Sequence, residues 1–196
     1  FSPRGVRART VVIESRDGTL SLIAFEHDTL VRTGQVDLRY YGTVETGAVS
    51  HELLFGLDAR TYDIDEVQAS NFTDITTVVN PTPPGTPTLN PPYQDAVTEQ
   101  TQIGFYFQDQ MKWGDGWIGT LNLRHDSAET KQTPRTAGTA FDRSDSETSY
   151  RVALAREFAN GFTPYATYSS FFNPLIVAPA NGVTEPEDGE QVELGF

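Results

Sequence analysis

Cysteine is missing from all 196 residues, which removes disulfide scaffolds, zinc–thiolate sites, iron–sulfur clusters and cysteine nucleophiles. The redox compartment is left open by the same absence. Positive charge is scarce: 14 Lys and Arg stand against 27 Asp and Glu, a net charge of -13 that repels phosphate backbones. No basic stripe offsets that balance, so nucleic acid is excluded as a partner. Long hydrophobic runs are lacking too, the longest being Leu20 to Phe25 and Leu53 to Leu57, well short of the roughly 18 apolar residues of a spanning helix. Spanning strands are not excluded by that. Helix signals, a cap followed by a stripe of period 3.6 and a closing Gly, are hard to find anywhere. Phe1 is not an initiator Met and no signal peptide precedes it, so the chain reads as processed or as part of a larger protein.

The sequence does hold a period of two. Leu53, Phe55, Leu57 and Ala59 fall on one face and Glu52, Gly56, Asp58 and Arg60 on the other, with Leu54 the exception. Ile103, Phe105 and Phe107 alternate with Gly104, Tyr106 and Gln108, and Leu121 and Leu123 alternate with Thr120, Asn122 and Arg124. Val36, Leu38 and Tyr40, then Tyr150, Val152 and Leu154, then Val192, Leu194 and Phe196 repeat the pattern. Thr10 to Glu14 and Leu20 to Phe25 also read as strand, joined at Arg16-Asp17-Gly18-Thr19. The result is an all-β expectation, an antiparallel up-and-down meander of about eight or nine strands.

Connections of two lengths alternate along the chain. Glu45-Thr46-Gly47-Ala48, Gly114-Asp115-Gly116 and Asn160-Gly161 carry the Gly, Asn or Asp that tight hairpins need for positive φ. Long polar stretches at about 64–99, 127–147 and 173–189 separate them, the first holding two proline clusters. A soluble sandwich alternates apolar and polar residues as well, so alternation by itself leaves the choice open. Loop asymmetry favours a transmembrane barrel, with short periplasmic turns, long extracellular loops and aromatic girdles. Trp113, Trp117, Met111, Phe158 and Phe162 flank the short turns, where a girdle would sit. On this reading Leu53, Phe55, Leu57, Ile103, Phe105, Phe107, Leu121, Leu123, Val152 and Leu154 face lipid. Glu52, Arg60, Gln108, Asn122 and Arg124 then point into a wet lumen. A soluble sandwich or jelly roll remains the alternative.

Four segments resemble the TonB-dependent siderophore receptors of Gram-negative outer membranes, most closely their ferrichrome-receptor-like branch. They are Ser50-His51-Glu52-Leu53-Leu54-Phe55-Gly56-Leu57-Asp58, Gly104 to Gln110 with its closing Gln-Asp-Gln, Thr163-Pro164-Tyr165 to Pro174, and Pro186 to Phe196. Their order and spacing follow the family over roughly residues 31 to 196. The resemblance implies part of a barrel of about 22 strands with a plugged lumen, whose plug domain and remaining strands the chain lacks. An outer-membrane location, ferric siderophore as cargo rather than any bound cofactor, and TonB as the energy source acting through that plug are further implications. Tyr62, Phe72, Tyr93 and Phe172 match outward positions where related receptors hold the chelate. Equally, Tyr62 and Phe172 fit an outer girdle and Phe72 and Tyr93 fit loop packing. An excised stretch of wall has two open edges, so the isolated piece is expected to self-associate.

Other chemistry reads weakly. His27-Asp28 and His125-Asp126 are adjacent pairs whose side chains leave a strand on opposite faces, which argues against a shared metal. Ser127 lacks a Gly-x-Ser-x-Gly elbow, and any pairing among 27 carboxylates is uninformative, so catalytic residues are not expected. Asp63, Asp65 and Glu66, and Glu185, Glu187, Asp188 and Glu190, lack the spacing of a calcium loop and read as solvated acidic segments. Asn71-Phe72-Thr73 matches a glycosylation sequon, of little meaning in a bacterial source. Two functions from other classes stay in view, a lectin-like all-β binding module and an all-β hydrolase.

Overall fold

The computed structural model describes residues 14–16, 19–77, 80, 88–136, 140–176 and 185–196; the side chains of residues 14–22 and 72–77 lie outside that description. Among the described residues eight strands follow one another: β1 Glu14–Arg16, β2 Thr19–Thr46, β3 Val49–Thr77, β4 Gln94–Trp113, β5 Trp117–Pro134, β6 Phe141–Arg156, β7 Tyr165–Asn173 and β8 Glu187–Gly195. They form a single sheet in chain order, so each strand pairs with its sequence neighbours and β1 and β8 are the outermost described strands. The described registers are antiparallel: Glu14 opposes Ser21 between β1 and β2, Val152 opposes Tyr168 between β6 and β7, and Tyr168 opposes Val192 between β7 and β8. Among the described residues there is no second sheet to make a sandwich.

The short connections lie where the turn chemistry puts them. Gly47, Gly114, Gly116 and Gly161 take φ of 63°, 53°, 77° and 84°, in the region other residues avoid. The β6–β7 connection is longer than its Asn160-Gly161 signal suggests, because Pro164 cannot donate to the ladder and β7 starts only at Tyr165. The Thr10–Ile13 part of the expected first strand and its Asp17-Gly18 turn lie outside the described residues.

Two of the three long connections shrink, a correction to the sequence reading, while the third holds, with β7 ending at Asn173 and β8 beginning at Glu187. β3 continues to Thr77 and β4 begins at Gln94, β5 continues to Pro134 and β6 begins at Phe141. Leu20 to Phe25 and Val36 to Tyr40, read as separate strands, belong to the one strand β2 of 28 residues. Strands of 28, 29 and 20 residues exceed the 9–11 expected of a membrane span. Their extensions carry Thr, Gln, Ser and Asp on both faces, so no apolar alternation marks them, yet the polar side chains hydrogen-bond across the ladder. Gln132 Nε2 donates to Thr98 Oγ1 at 3.2 Å, and Gln100 Nε2 donates to Thr130 Oγ1 at 2.9 Å.

Two compact units divide the chain. Unit 1 comprises residues 1–32, 62–99 and 131–141, and unit 2 comprises 33–61, 100–130 and 142–196. Burial is inverted relative to a water-soluble domain. Among the described residues the buried hydrophobic ones are four alanines, Ala24, Ala69, Ala96 and Ala128, whereas Thr98, Gln100, Gln102, Asp126, Thr130, Gln132 and Thr167 are buried polar ones. Large apolar side chains lie outside: Phe105 is 59% exposed, Leu38 61%, Val152 50% and Leu194 77%.

If the strands extend as described, amide hydrogen exchange separates the two readings. Backbone amides of residues 98–102 and 128–132 are expected to be protected to the same degree as those of 103–107, with 88–91 exchanging freely. Free exchange across 128–132 would restore the long loop.

Candidate functional site

The polar face of unit 2 carries a ladder of charges spanning four strands. Asp37 and Arg39 stand on β2, Asp58 and Arg60 on β3, Gln102 and Tyr106 on β4, Arg124 and Asp126 on β5. Arg124 is its hub: Nη1 donates to Asp58 Oδ2 at 2.6 Å and Nη2 to Asp58 Oδ1 at 3.2 Å, while Nε and Nη2 donate to the Asp126 carboxylate at 2.6 Å each. Asp126 also accepts from Gln102 Nε2 at 2.8 Å, and Gln102 Oε1 accepts from Arg60 Nη2 at 2.6 Å. The Arg124 guanidinium lies 5.7 Å over the Tyr106 ring, whose hydroxyl donates to Asp37 Oδ1 at 2.7 Å and accepts from Arg39 Nε at 3.0 Å. Arg39 is also ion-paired with Asp37.

Two glycines make these reaches possible. A Cβ built on Gly104 would stand 2.1 Å from Arg124 Nη2, and one on Gly56 would stand 1.9 Å from Tyr106 Cζ. Arg124 therefore crosses the bare backbone of β4 to meet Asp58 on β3, and Tyr106 crosses β3 to meet β2. Beside the ladder lies a cleft of about 420 Å³ lined by Asp37, Arg39, Asp58, Tyr106, Asn122 and Arg124, with Asn122 Oδ1 buried and unpartnered. Three carboxylates and three guanidiniums stand together here, which gives a polar, near-neutral wall suited to a polar passage.

Unit 1 holds the base of the β3–β4 connection. Arg135 Nη1 donates to Asp65 Oδ1 at 2.7 Å and to Asp95 Oδ1 at 3.2 Å, and these two contacts push the guanidinium pKa above its ordinary value. The Tyr93 hydroxyl donates to Gln68 Oε1 at 2.9 Å, and its backbone N–H donates to Gln68 O at 3.0 Å. Burial and then the Glu66 charge raise the phenol pKa. Gln94 and Gln68 each donate to the Glu66 carboxylate at 3.0 Å, and Asn71 Nδ2 donates to Thr88 O at 2.8 Å, which closes the connection at its base.

The four aromatic residues suggested as ligand contacts are distributed unevenly. Tyr93 remains 56% exposed with its hydroxyl fixed on Gln68. Tyr62 lies on β3 in unit 1 and is partly exposed. Phe172 lies on β7 in unit 2, opposite Asp188, beside a small polar cleft that also includes Arg143, Asp145 and Glu185. The Phe72 side chain is outside the described residues, although its backbone is in β3. Of the residues suggested to meet lipid, Phe55, Ile103, Phe105, Leu123, Val152 and Leu154 are exposed, and Leu53, Leu57, Phe107 and Leu121 are partly so. Phe55 and Phe107 touch across β3 and β4 with centroids 5.0 Å apart.

The histidines do not converge. His125 Nδ1 lies 2.9 Å from Thr148 Oγ1, while its neighbour Asp126 turns to Arg124 on the other face. His27 contacts Thr29 and approaches Glu66 at 4.0 Å. His51 Nδ1 lies 2.9 Å from Asp109 Oδ2 and Nε2 2.7 Å from Thr46 Oγ1, a cross-strand link that the sequence reading missed because 58 residues separate His51 from Asp109. Among the described residues no three His, Asp or Glu could hold one metal ion.

Residues 8–196 match a family model described as TonB dependent receptor-like, beta-barrel. The ferrioxamine B receptor of Salmonella typhimurium (strain SL1344) is 33% identical over 161 residues, 82% of this chain and 23% of that protein. The ferrichrome outer membrane transporter/phage receptor of Escherichia coli (strain K12) is 30% identical over 178 residues, 86% of this chain and 24% of that protein. The chain thus spans about a quarter of the length of these relatives. Among solved structures, BauA, the ferric preacinetobactin receptor from Acinetobacter baumannii, has a TM-score of 0.71 at 23% identity, covering 93% of this chain and 28% of that one. The siderophore receptor PiuA from the same organism has a TM-score of 0.68 at 19% identity, covering 91% and 30%. Both are likenesses of fold.

The hub makes a sharp prediction. Arg124→Ala leaves Asp126 buried without its cation and is expected to cost about 3–5 kcal/mol, whereas Arg124→Met combined with Asp58→Leu and Asp126→Leu costs far less. Denaturation midpoints of the folded protein measure both; equal losses would mean that the charges do not act as a unit.

Proposed function

This chain belongs to the TonB-dependent receptor β-barrel family, and on that premise we propose that it forms part of the wall of an outer-membrane receptor that imports ferric siderophores into Gram-negative cells, energised by TonB. One observation carries the reading: the sheet exposes Phe, Leu, Ile and Val on one face and keeps its paired charges on the other. Hydrocarbon is the surrounding that rewards such an arrangement, because strand-to-strand hydrogen bonds satisfy the backbone and the apolar side chains meet lipid tails.

The polar ladder then lines the lumen, and the long-connection side faces the medium. There the Tyr93 ring would meet the apolar parts of an organic chelate, with Gln68, which accepts from its hydroxyl, and Asp95, two residues along the chain, to meet polar atoms, while Tyr62, Phe72 and Phe172 are each candidates for the same role by sequence. Transport needs no covalent step, and the residues here are assigned none. TonB acts on such a receptor through its plug, so this stretch alone neither transports nor binds tightly, and in isolation its β1 and β8 edges pair with other copies. The ferrioxamine B and ferrichrome relatives favour a hydroxamate chelate as cargo.

The test is uptake by a Gram-negative strain deleted for its own siderophore receptors and supplied with the full-length protein. Radiolabelled iron from ferrioxamine B or ferrichrome is expected to enter and to stop entering when TonB is removed. No gain for either chelate would contradict the hydroxamate assignment, and no gain for any chelate would contradict import. Within the same receptor, Phe105→Arg is expected to lower folded stability by about 2–4 kcal/mol, the cost of a cation on the lipid side near the midplane.

A further inference from the structure

At the short-turn end of unit 2, five rings and one cation form a continuous row. Trp113 and Trp117 stack with centroids 6.4 Å apart and planes 9° from parallel. The Arg156 guanidinium lies 5.2 Å from the Trp117 ring and 4.7 Å from that of Phe158. Phe158 meets Phe162 at 6.1 Å, and Phe162 meets Phe196 at 5.6 Å. The row follows the ends of β4 to β8, and the turns beneath it are joined by a hydrogen bond from Glu157 N to Gly116 O at 2.7 Å.

Alternation fixes the face. Trp117 falls in phase with Leu121 and Leu123, and Arg156 with Val152 and Leu154, so the guanidinium stands on the exposed apolar side. Its environment differs from that of the other arginines with described partners. Arg39, Arg124, Arg135 and Arg143 each meet an Asp carboxylate, and Arg60 meets Gln102. The Arg156 side chain has ring contacts only among the described residues, and its Nε is buried without a hydrogen-bond partner. Asp115 and Glu157, the acids on the adjoining turns, are exposed and form no ion pair with it. A guanidinium clamped between rings, with its donors unanswered, is built for an oxyanion that arrives from outside the chain.

We propose that Arg156, held between Trp117 and Phe158, binds the phosphodiester of a glycerophospholipid in the periplasmic leaflet. The inference rests on the membrane-wall reading above, which puts the short turns at that leaflet. Glycerophospholipid is the lipid of the inner leaflet of outer membranes, and its phosphate lies at the level where interfacial Trp rings settle. Two phosphate oxygens match the guanidinium fork, and the flanking rings hold that fork in place while covering the glycerol and upper acyl carbons. A chain of net charge -13 repels anionic headgroups in general, so a cation without an ion pair at this rim is selective for place.

The experiment uses the full-length receptor in mild detergent, titrated with dioleoylphosphatidylglycerol and followed by native mass spectrometry. Arg156→Gln is expected to lose one bound phospholipid, with its affinity weakened about tenfold, while Arg156→Lys, which keeps the charge but not the fork, falls between it and the parent protein and Arg151→Gln is unchanged. Millimolar inorganic phosphate is expected not to displace the lipid. Unchanged binding in folded Arg156→Gln, displacement by phosphate alone, or preferential retention of lipopolysaccharide would each overturn the proposal. Should Arg156→Gln not fold, Trp117→Leu with Phe158→Leu keeps the cation and removes its clamp; binding equal to that of the parent protein would overturn the proposal equally. Fractionation separates the two failures. A receptor absent from the outer membrane defeats the wall reading and this site with it, whereas one present there with lipid binding indifferent to Arg156 defeats only the site.

Discussion

A buried carboxylate needs an answering cation, and Asp126, 4% exposed, has one because Arg124 reaches it and Asp58 together. That reach depends on the bare backbone of Gly104, just as the reach of Tyr106 to Asp37 depends on Gly56. The two crossings run in the same direction, each from one strand over its neighbour, and they tie β2 to β5 by side chains as well as by the backbone ladder. Because the charged groups on this face satisfy one another, the face tolerates water without demanding it. Stability there comes from many short contacts whose worth depends on all of them being made.

The opposite face follows from the same constraint. With polar side chains turned to one side at every second residue, the alternate positions of β3 to β8 are left largely to Phe, Leu, Ile, Val and Tyr, and among the described residues no second layer of protein covers them. In water such a surface would be a large liability. In hydrocarbon it is the ordinary outer side of a barrel, and its aromatic row at the short-turn end falls where the acyl region gives way to headgroups. Arg156 belongs to that boundary: too charged for the acyl region, too poorly partnered for the protein interior.

The sequence disclosed the faces and the tight turns because both follow from rules with a short range. Phe105 beside Tyr106 is enough to assign sides, and Gly114-Asp115-Gly116 is enough to place a hairpin. Strand ends were illegible, because Thr98, Gln100, Thr130 and Gln132 carry no apolar period and reveal themselves as strand only when their cross-strand partners are known. The charge ladder was half legible. Arg60 and Arg124 could be assigned to the lumen side, but the Arg124–Asp58 pair spans 66 residues, and only a register linking Gly104 to both would have exposed it. A Gly on the polar side of a strand, in a chain rich in long polar residues, was the available signal. Arg156 closes β6 with no pattern to mark it, and its significance lies in what it fails to touch.

Orientation of the apolar face is the point on which the whole account turns, and it is directly measurable because no native thiol in these 196 residues competes with a label placed there. Single cysteines placed at 103, 105 and 107 and at 102, 106 and 108 in the full-length receptor, spin-labelled in bilayers, report oxygen against a water-soluble nickel relaxant. Oxygen accessibility that is high at 103, 105 and 107 and low at 102, 106 and 108 is the predicted result. Nickel access at 103, 105 and 107, or equal oxygen access along all six, would contradict it.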